Sequence, residues 1–171
     1  TLTQAEKQFL VDHSRTDPDY FWASILGCST VYDKQLQMAR AVRDHNRVAV
    51  VGANGTGKDW QSARVMLWWM ATRYPAICVV LGPTHRQVSD IVWKEARNAY
   101  LTSRTPLGGQ MFRTSRWELD DRHYAVGFAT DNEYNIQGFH SPNLLVILTE
   151  AHNIEQSHID AVKRLNPARM L

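Results

Sequence analysis

Cysteine is scarce in this chain: Cys28 and Cys78 are the only two among 171 residues. Two cysteines this far apart make neither a metal-ligand spacing nor a disulfide framework. Cys78 lies in the apolar run 77–81, where a small core residue is expected. A reducing, cytosolic setting fits that usage. Long hydrophobic runs are missing as well. No stretch approaches the length of a membrane span and the N-terminus carries no signal-peptide pattern, so no membrane association is expected. Charge of one sign is also lacking. Nineteen Lys and Arg against 17 Asp and Glu leave a formal charge of +2, which argues neither for nor against a nucleic-acid partner. The groupings Arg40, Arg43, Arg47 and Lys163, Arg164, Arg169 read as solvated helix faces before they read as DNA tracks. There is no carboxylate cluster of the kind a two-metal nuclease needs, no internal repeat and no low-complexity tract.

What is present is the composition of one globular domain. With 44% hydrophobic and 21% charged residues over this length, a sizeable core can form. Thr3 and Glu6 make a capping-box pattern that opens a short helix to about residue 13. A second helix is expected over 33–44, with Leu36, Ala39 and Val42 inward. Residues 47–51 read as a short apolar strand. From Lys58 onward, Ala63, Met66, Leu67, Met70, Ala71 and Tyr74 fall at amphipathic-helix spacing, and Pro75 ends the run. Residues 77–81 read as a buried strand because they are apolar throughout. Gly82-Pro83 turns the chain, and Thr84 with Gln87 caps a further long helix through Val88, Ile91, Val92, Ala96, Ala99 and Tyr100. Trp93 is expected in the core. Residues 102–116 look like loop, 117–119 with 124–128 like a hairpin or a paired edge, and 130–140 like polar loop. Residues 144–148 form the most strongly apolar strand, followed by a helix carrying Ile154, His158, Ala161, Val162 and Leu165. Strand and helix alternate, so the expected fold is α/β: a parallel sheet with helices on both faces and a ligand edge at the C-terminal ends of the strands. The last residues, 166–171, look like the approach to another strand, so a fragment of a longer protein is expected.

Two segments carry chemistry. Gly52-Ala53-Asn54-Gly55-Thr56-Gly57-Lys58-Asp59 is a G-x-x-x-x-G-K phosphate-binding loop between a predicted strand and a predicted helix. Its glycines let backbone N–H groups turn inward around phosphate at the positive end of the following helix, and Lys58 would reach the β- and γ-phosphates. Asp59, however, stands where Ser or Thr normally offers a hydroxyl to Mg²⁺. The second segment is 144–148 followed by Thr149-Glu150, in which Thr149 stands where the metal-associated Asp normally stands. One segment has lost a hydroxyl and gained a carboxylate; the other has done the reverse. A carboxylate about 5 Å from one phosphate charge costs roughly 3 kcal/mol at an effective dielectric of about 20. A Mg²⁺ ion, which accepts carboxylate oxygen as readily as hydroxyl, can offset this. If Thr149 lies opposite, its hydroxyl can donate to Asp59 and the usual pair survives with its ends reversed. Two independent inactivating substitutions are the other reading. Asp59 also has a plain role as a carboxylate favoured in the first turn of a helix. Glu150, at the C-terminal end of a central strand, is placed to act as general base or to orient an attacking water.

Taken in order, these segments resemble the ATPase domain of bacteriophage terminase large subunits, the DNA-packaging motors. The resemblance runs from about Asp17 to Leu171. It rests on Tyr32-Asp33-Lys34-Gln35, the glycine loop, Gly82-Pro83-Thr84-His85-Arg86-Gln87-Val88, Ile91-Val92-Trp93-Lys94-Glu95, Gln137-Gly138-Phe139-His140-Ser141-Pro142, and the segment from Leu144 to His152. It implies a RecA-like (ASCE) P-loop NTPase fold and Mg²⁺-ATP hydrolysis that drives double-stranded DNA into a capsid. It also implies a homo-oligomeric ring acting with a portal and a small terminase subunit in the host cytoplasm, and a nuclease domain beyond Leu171. By the same resemblance Gln35 would read adenine, with Tyr32 or Phe21 covering the ring; an exposed helix residue is the alternative for Gln35. The chain departs from the family at Asp59, at Thr149, and at Val51 and Ala53, where many relatives carry a basic residue. A catalytic arginine from a neighbouring subunit would then be Arg104, Arg113 or Arg116. Thr149-Glu150-Ala151-His152 also resembles the D-E-A-H box of helicase-like remodellers. A nucleotide-binding assembly module with a disabled metal site is the non-enzymatic alternative.

Overall fold

The structure, a computed structural model, describes residues 3–53, 55–130, 136 and 138–171. Asn54, Gln137 and residues 131–135 of the expected polar loop lie outside the described residues. In chain order the helices are α1 (Gln4–Thr16), α2 (Pro18–Tyr20, running into a π-helical turn at Phe21–Ile25), α3 (Asp33–Asp44), α4 (Lys58–Thr72), α5 (Trp93–Thr102) and α6 (Gln156–Arg164). The strands are β1 (Ala76–Gly82), β2 (Gln110–Phe112), β3 (Arg116–Asp120), β4 (His123–Ala129), β5 (Asn143–Leu148) and β6 (Arg169–Met170).

All seven residues of β1 are buried, because a parallel strand lies on each side and helices cover both faces. Val79 pairs with Val126 of β4 on one side and with Val146 of β5 on the other. The six strands run in the order β2-β3-β4-β1-β5-β6. The four from β4 to β6 are mutually parallel, while β2-β3 and β3-β4 are antiparallel. The fold is thus α/β, a mostly parallel mixed sheet flanked by helices. The expected hairpin forms between β3 and β4 and extends the sheet at a paired edge, whereas β2 forms inside the segment read as loop.

Side chains alternate across the sheet, as the pleat requires. Cys78, Val80, Leu145, Ile147, Ala125 and Trp117 face one core with α3, α4 and α5. Ile77, Val79, Leu81, Leu144 and Val146 face the other with Ala161 and Val162 of α6. Helix α4 is not amphipathic in place: Gln61 through Met70 are all buried. Its neighbours explain this. Trp68 Nε1 donates to Ser14 O of α1 (2.7 Å), Trp69 Nε1 to Asn143 O of β5 (2.9 Å), and Arg64 pairs with Glu95 of α5 (3.0 Å). Burying large apolar side chains such as Trp68 contributes roughly 1.5–3 kcal/mol each, so α4 is anchored from three directions. It ends at Thr72, and Tyr74 lies beyond it, exposed, because the residue before Pro75 is forced out of helical geometry.

Two capping expectations hold in atomic detail. Thr3 and Glu6 exchange bonds at the start of α1. Thr84 Oγ1 accepts from Gln87 N at 3.3 Å, although the helix there opens with a π-helical stretch, Gln87–Val92. The strand expected over 47–51 does not form. Arg47 makes one parallel bridge with Met170, and Val51 is 100% exposed. β6 is only two residues long, so it can partner this segment at one point and the rest has no ladder to join. That bridge still has a consequence for topology: β6 lies between the segment entering the glycine loop and β5.

Candidate nucleotide site

The loop's backbone follows from its glycines. Gly55 (φ +77°) and Gly57 (φ +79°) occupy the left-handed region, which costs other L-residues about 1–2 kcal/mol. Gly57 directly precedes α4 and turns the chain into it. Thr56 Oγ1 donates to Ala53 O (2.9 Å), while Lys58 Nζ donates to Gly52 O (2.8 Å) and Ala53 O (3.1 Å). The lysine thus arches over the loop and holds its carbonyls. Gly52, Ala53, Gly55 and Thr56 are exposed, so the start of α4 opens outward and is not sealed under side chains. With 15 residues behind it, that terminus carries partial positive charge of the order of half an elementary unit.

Asp59 and Thr149 are brought together. Thr149 Oγ1 donates to Asp59 Oδ1 at 3.0 Å, linking the first turn of α4 to the end of β5. The backbone fixes Thr149 from behind, where its N–H donates to Leu81 O of β1 (2.9 Å). Gly82 makes the room. A Cβ there would lie 2.9 Å from both Thr149 Cγ2 and Val88 Cγ2. A hydroxyl–carboxylate pair therefore joins the two segments.

Glu150 follows in the left-handed region (φ 51°, ψ 45°). A glutamate pays about 1–2 kcal/mol for that conformation, and strain of this kind concentrates at functional positions. The turn directs the chain out of the sheet into a short 3₁₀ segment, Ala151–Asn153, whose Asn153 N–H donates to Glu150 O (2.9 Å). The Glu150 carboxylate lies 3.6 Å from Nδ1 of exposed His152. His152 is thus a site neighbour in its own right, a role its place in the helicase-like tetrapeptide did not indicate.

Lys58, Asp59, Thr149 and Glu150 line one cavity of about 620 Å³, closed on its apolar side by Val48, Met170 and other residues. Gln35 stands at the far side of the loop. Its Oε1 accepts from Tyr32 N (3.1 Å), and its Nε2 lies 3.1 Å from where a Cβ on Gly57 would sit. Gln35 therefore caps α3 and touches the glycine loop together. Phe21 is buried in the core and is not placed to cover a ligand ring, whereas Tyr32 is exposed. Of the three arginines considered for action across a subunit boundary, Arg104 donates to Ala23 O and Arg116 pairs with Glu118 (2.8 Å). Exposed Arg113 makes no side-chain hydrogen bond among the described residues.

Among the described residues, no group of three or more His, Cys, Asp or Glu is placed to hold a metal. Mg²⁺ needs no such group, because it binds through one or two protein oxygens plus phosphate and water. The hard-oxygen donors of Asp59 and Thr149, on the wall of the phosphate-loop cavity, fit that requirement. No protein-family model and no curated protein matches the chain.

Proposed function

We propose that this chain binds Mg²⁺-ATP at the 52–59 loop and belongs to an ATPase that moves double-stranded DNA during viral genome packaging, as in a terminase large subunit. The observation that carries the reading is the Thr149–Asp59 hydrogen bond at 3.0 Å, which joins the two motif segments inside one cavity beside Lys58 and Glu150. The strand order supports it further. One strand, β6, lies between the segment entering the loop and β5, as the additional strand does in the ASCE arrangement.

On this reading the backbone N–H groups of the loop bind phosphate oxygens, and Lys58 exchanges its carbonyl partners for the β- and γ-phosphates. Mg²⁺, when bound, neutralises charge on those phosphates; Asp59 and Thr149 would hold it. Glu150, aimed by its strained backbone, orients the attacking water and accepts its proton. Gln35, beside Gly57 of the loop, is the proposed adenine reader, and exposed Arg113 is the arginine proposed to act on a neighbouring subunit. The test is ATP turnover by protein assembled in a ring on its portal, with and without duplex DNA, against dilute monomer. Turnover confined to the assembly and raised by duplex supports the proposal. Strand separation would support a helicase-like remodeller instead, and tight binding without turnover in the ring a nucleotide-binding module.

A further inference from the structure

Four arginines converge at the opposite end of the sheet from the glycine loop. Arg15, Arg43, Arg73 and Arg169 line a cavity of about 520 Å³ with Asn143 and Trp69. Asn143 opens β5 and Leu148 closes it, so this cavity lies about 17 Å along the strand from the nucleotide site. No carboxylate lines it.

The three helices that end here, α1, α3 and α4, explain part of the clustering. Each C-terminus carries roughly half a negative charge and attracts cations. Arg43 donates to Thr16 O (3.1 Å) and pairs with Asp44 (2.7 Å), while Arg169 donates to Val42 O (2.7 Å) and Arg43 O (2.9 Å). Those two arginines are accounted for. Arg73 is not. It is 8% exposed, its guanidinium stacks on Trp69 (3.8 Å) and Trp68 (4.3 Å), and one N–H donates to the Thr72 hydroxyl (2.7 Å). Burial, with Arg15 and Arg169 nearby, brings its pKa down to about 9. A cation this buried is ordinarily paired with an anion, and none is supplied by the described residues.

We infer that this cavity is a second anion site, built to take a phosphate oxyanion between Arg73 and Arg15. A guanidinium fork matches two phosphate oxygens, and Asn143 offers an amide at the rim, held in place by its own bond to Pro75 O (2.9 Å). The phosphate belongs either to a small free ligand or to a nucleic-acid backbone. The site is independent of the glycine loop and stands whether or not that loop binds ATP.

The experiment uses Lys58→Ala protein, to weaken phosphate binding at the loop, with inorganic pyrophosphate and a short duplex oligonucleotide as separate probes. Calorimetric titration and thermal melting are the readouts. Saturable binding of pyrophosphate with a raised Tm assigns a small phosphate ligand; binding of duplex alone assigns a backbone phosphate. Arg15→Glu carries the decisive arm, since Arg15 is exposed and its replacement leaves the core untouched. It should lower affinity for the bound probe at least tenfold. Failure of both probes to bind, or affinity unchanged in Arg15→Glu, would overturn the inference.

Discussion

Reversing only one end of the Asp59–Thr149 pair should be far more damaging than reversing both. In Thr149→Asp the 3.0 Å donor–acceptor contact becomes two facing carboxylates. With charge centres about 4 Å apart at an effective dielectric of about 20, they repel by about 4 kcal/mol; halving this for partial solvent screening leaves about 2 kcal/mol. The lost hydroxyl-to-carboxylate bond adds about 1.5–3 kcal/mol. Asp59→Thr loses the charged bond but gains no repulsion, so it should cost about 1.5–3 kcal/mol. The double variant restores one carboxylate and one hydroxyl, and should lose only about 1 kcal/mol because the Thr149 methyl no longer packs beside Gly82 and Val88. Urea denaturation at pH 7 should therefore give a coupling of at least about 4 kcal/mol, well above the additive error of about 0.5 kcal/mol. The deficit of Thr149→Asp alone should shrink as pH falls through the carboxylate range, since one of the two acids then protonates. The same cycle on Mg²⁺-ATP affinity should show coupling of the same sign. Additivity within about 0.5 kcal/mol, in both stability and affinity, would refute the reversed pair and favour two independent lesions.

Other parts of the structure give outcomes that can be checked separately. Gly57→Ala should lower stability by about 1–2 kcal/mol for its left-handed backbone and displace Gln35, whose Nε2 lies 3.1 Å from the new Cβ; a Tm unchanged from wild type would contradict the loop geometry. His123 should make stability fall in mild acid. Burial holds its pKa below the ordinary 6.5 despite the Met70 carbonyl at 2.8 Å. Its contribution is thus complete above 6.5 and is lost as pH drops from there toward the depressed folded value. His123→Gln should flatten that slope in urea midpoints taken between pH 8 and pH 5, and an unchanged slope would assign it to other groups.

The central strands were legible because burial on both faces leaves an unbroken apolar run, as in 77–81 and 144–148, and helix starts were legible where Thr3 and Thr84 cap them. The meeting of Lys58, Asp59, Thr149 and Glu150 at one cavity was legible for the same local reason: they sit in two contiguous segments, and the chemistry of Asp59 and Thr149 calls for a partner. What could not be read depends on distant neighbours. The apolar residues 47–51 resemble a strand, but strand formation needs a ladder, and two-residue β6 provides one bridge. The 3.6-residue stripe on α4 is real, yet helices and sheet enclose the other faces too, so the stripe says nothing of the burial of Gln61 or Arg64. The insertion of β4 beside β1 is a tertiary choice that alternation in 124–128 cannot specify. The arginines at 15, 43, 73 and 169 are scattered in sequence, and only the meeting of three helix ends makes them a cluster.

The most direct measurement is calorimetric titration of Mg²⁺-ATP into this chain and into its Lys58→Ala variant. Saturable one-to-one binding by the wild type is expected, with at least tenfold weaker binding in Lys58→Ala, because only there are the β- and γ-phosphates deprived of the amino group that now holds Gly52 O and Ala53 O. Absence of binding by the wild type, or equal affinity in the variant with its fold intact, would contradict the assignment of a nucleotide to the 52–59 loop.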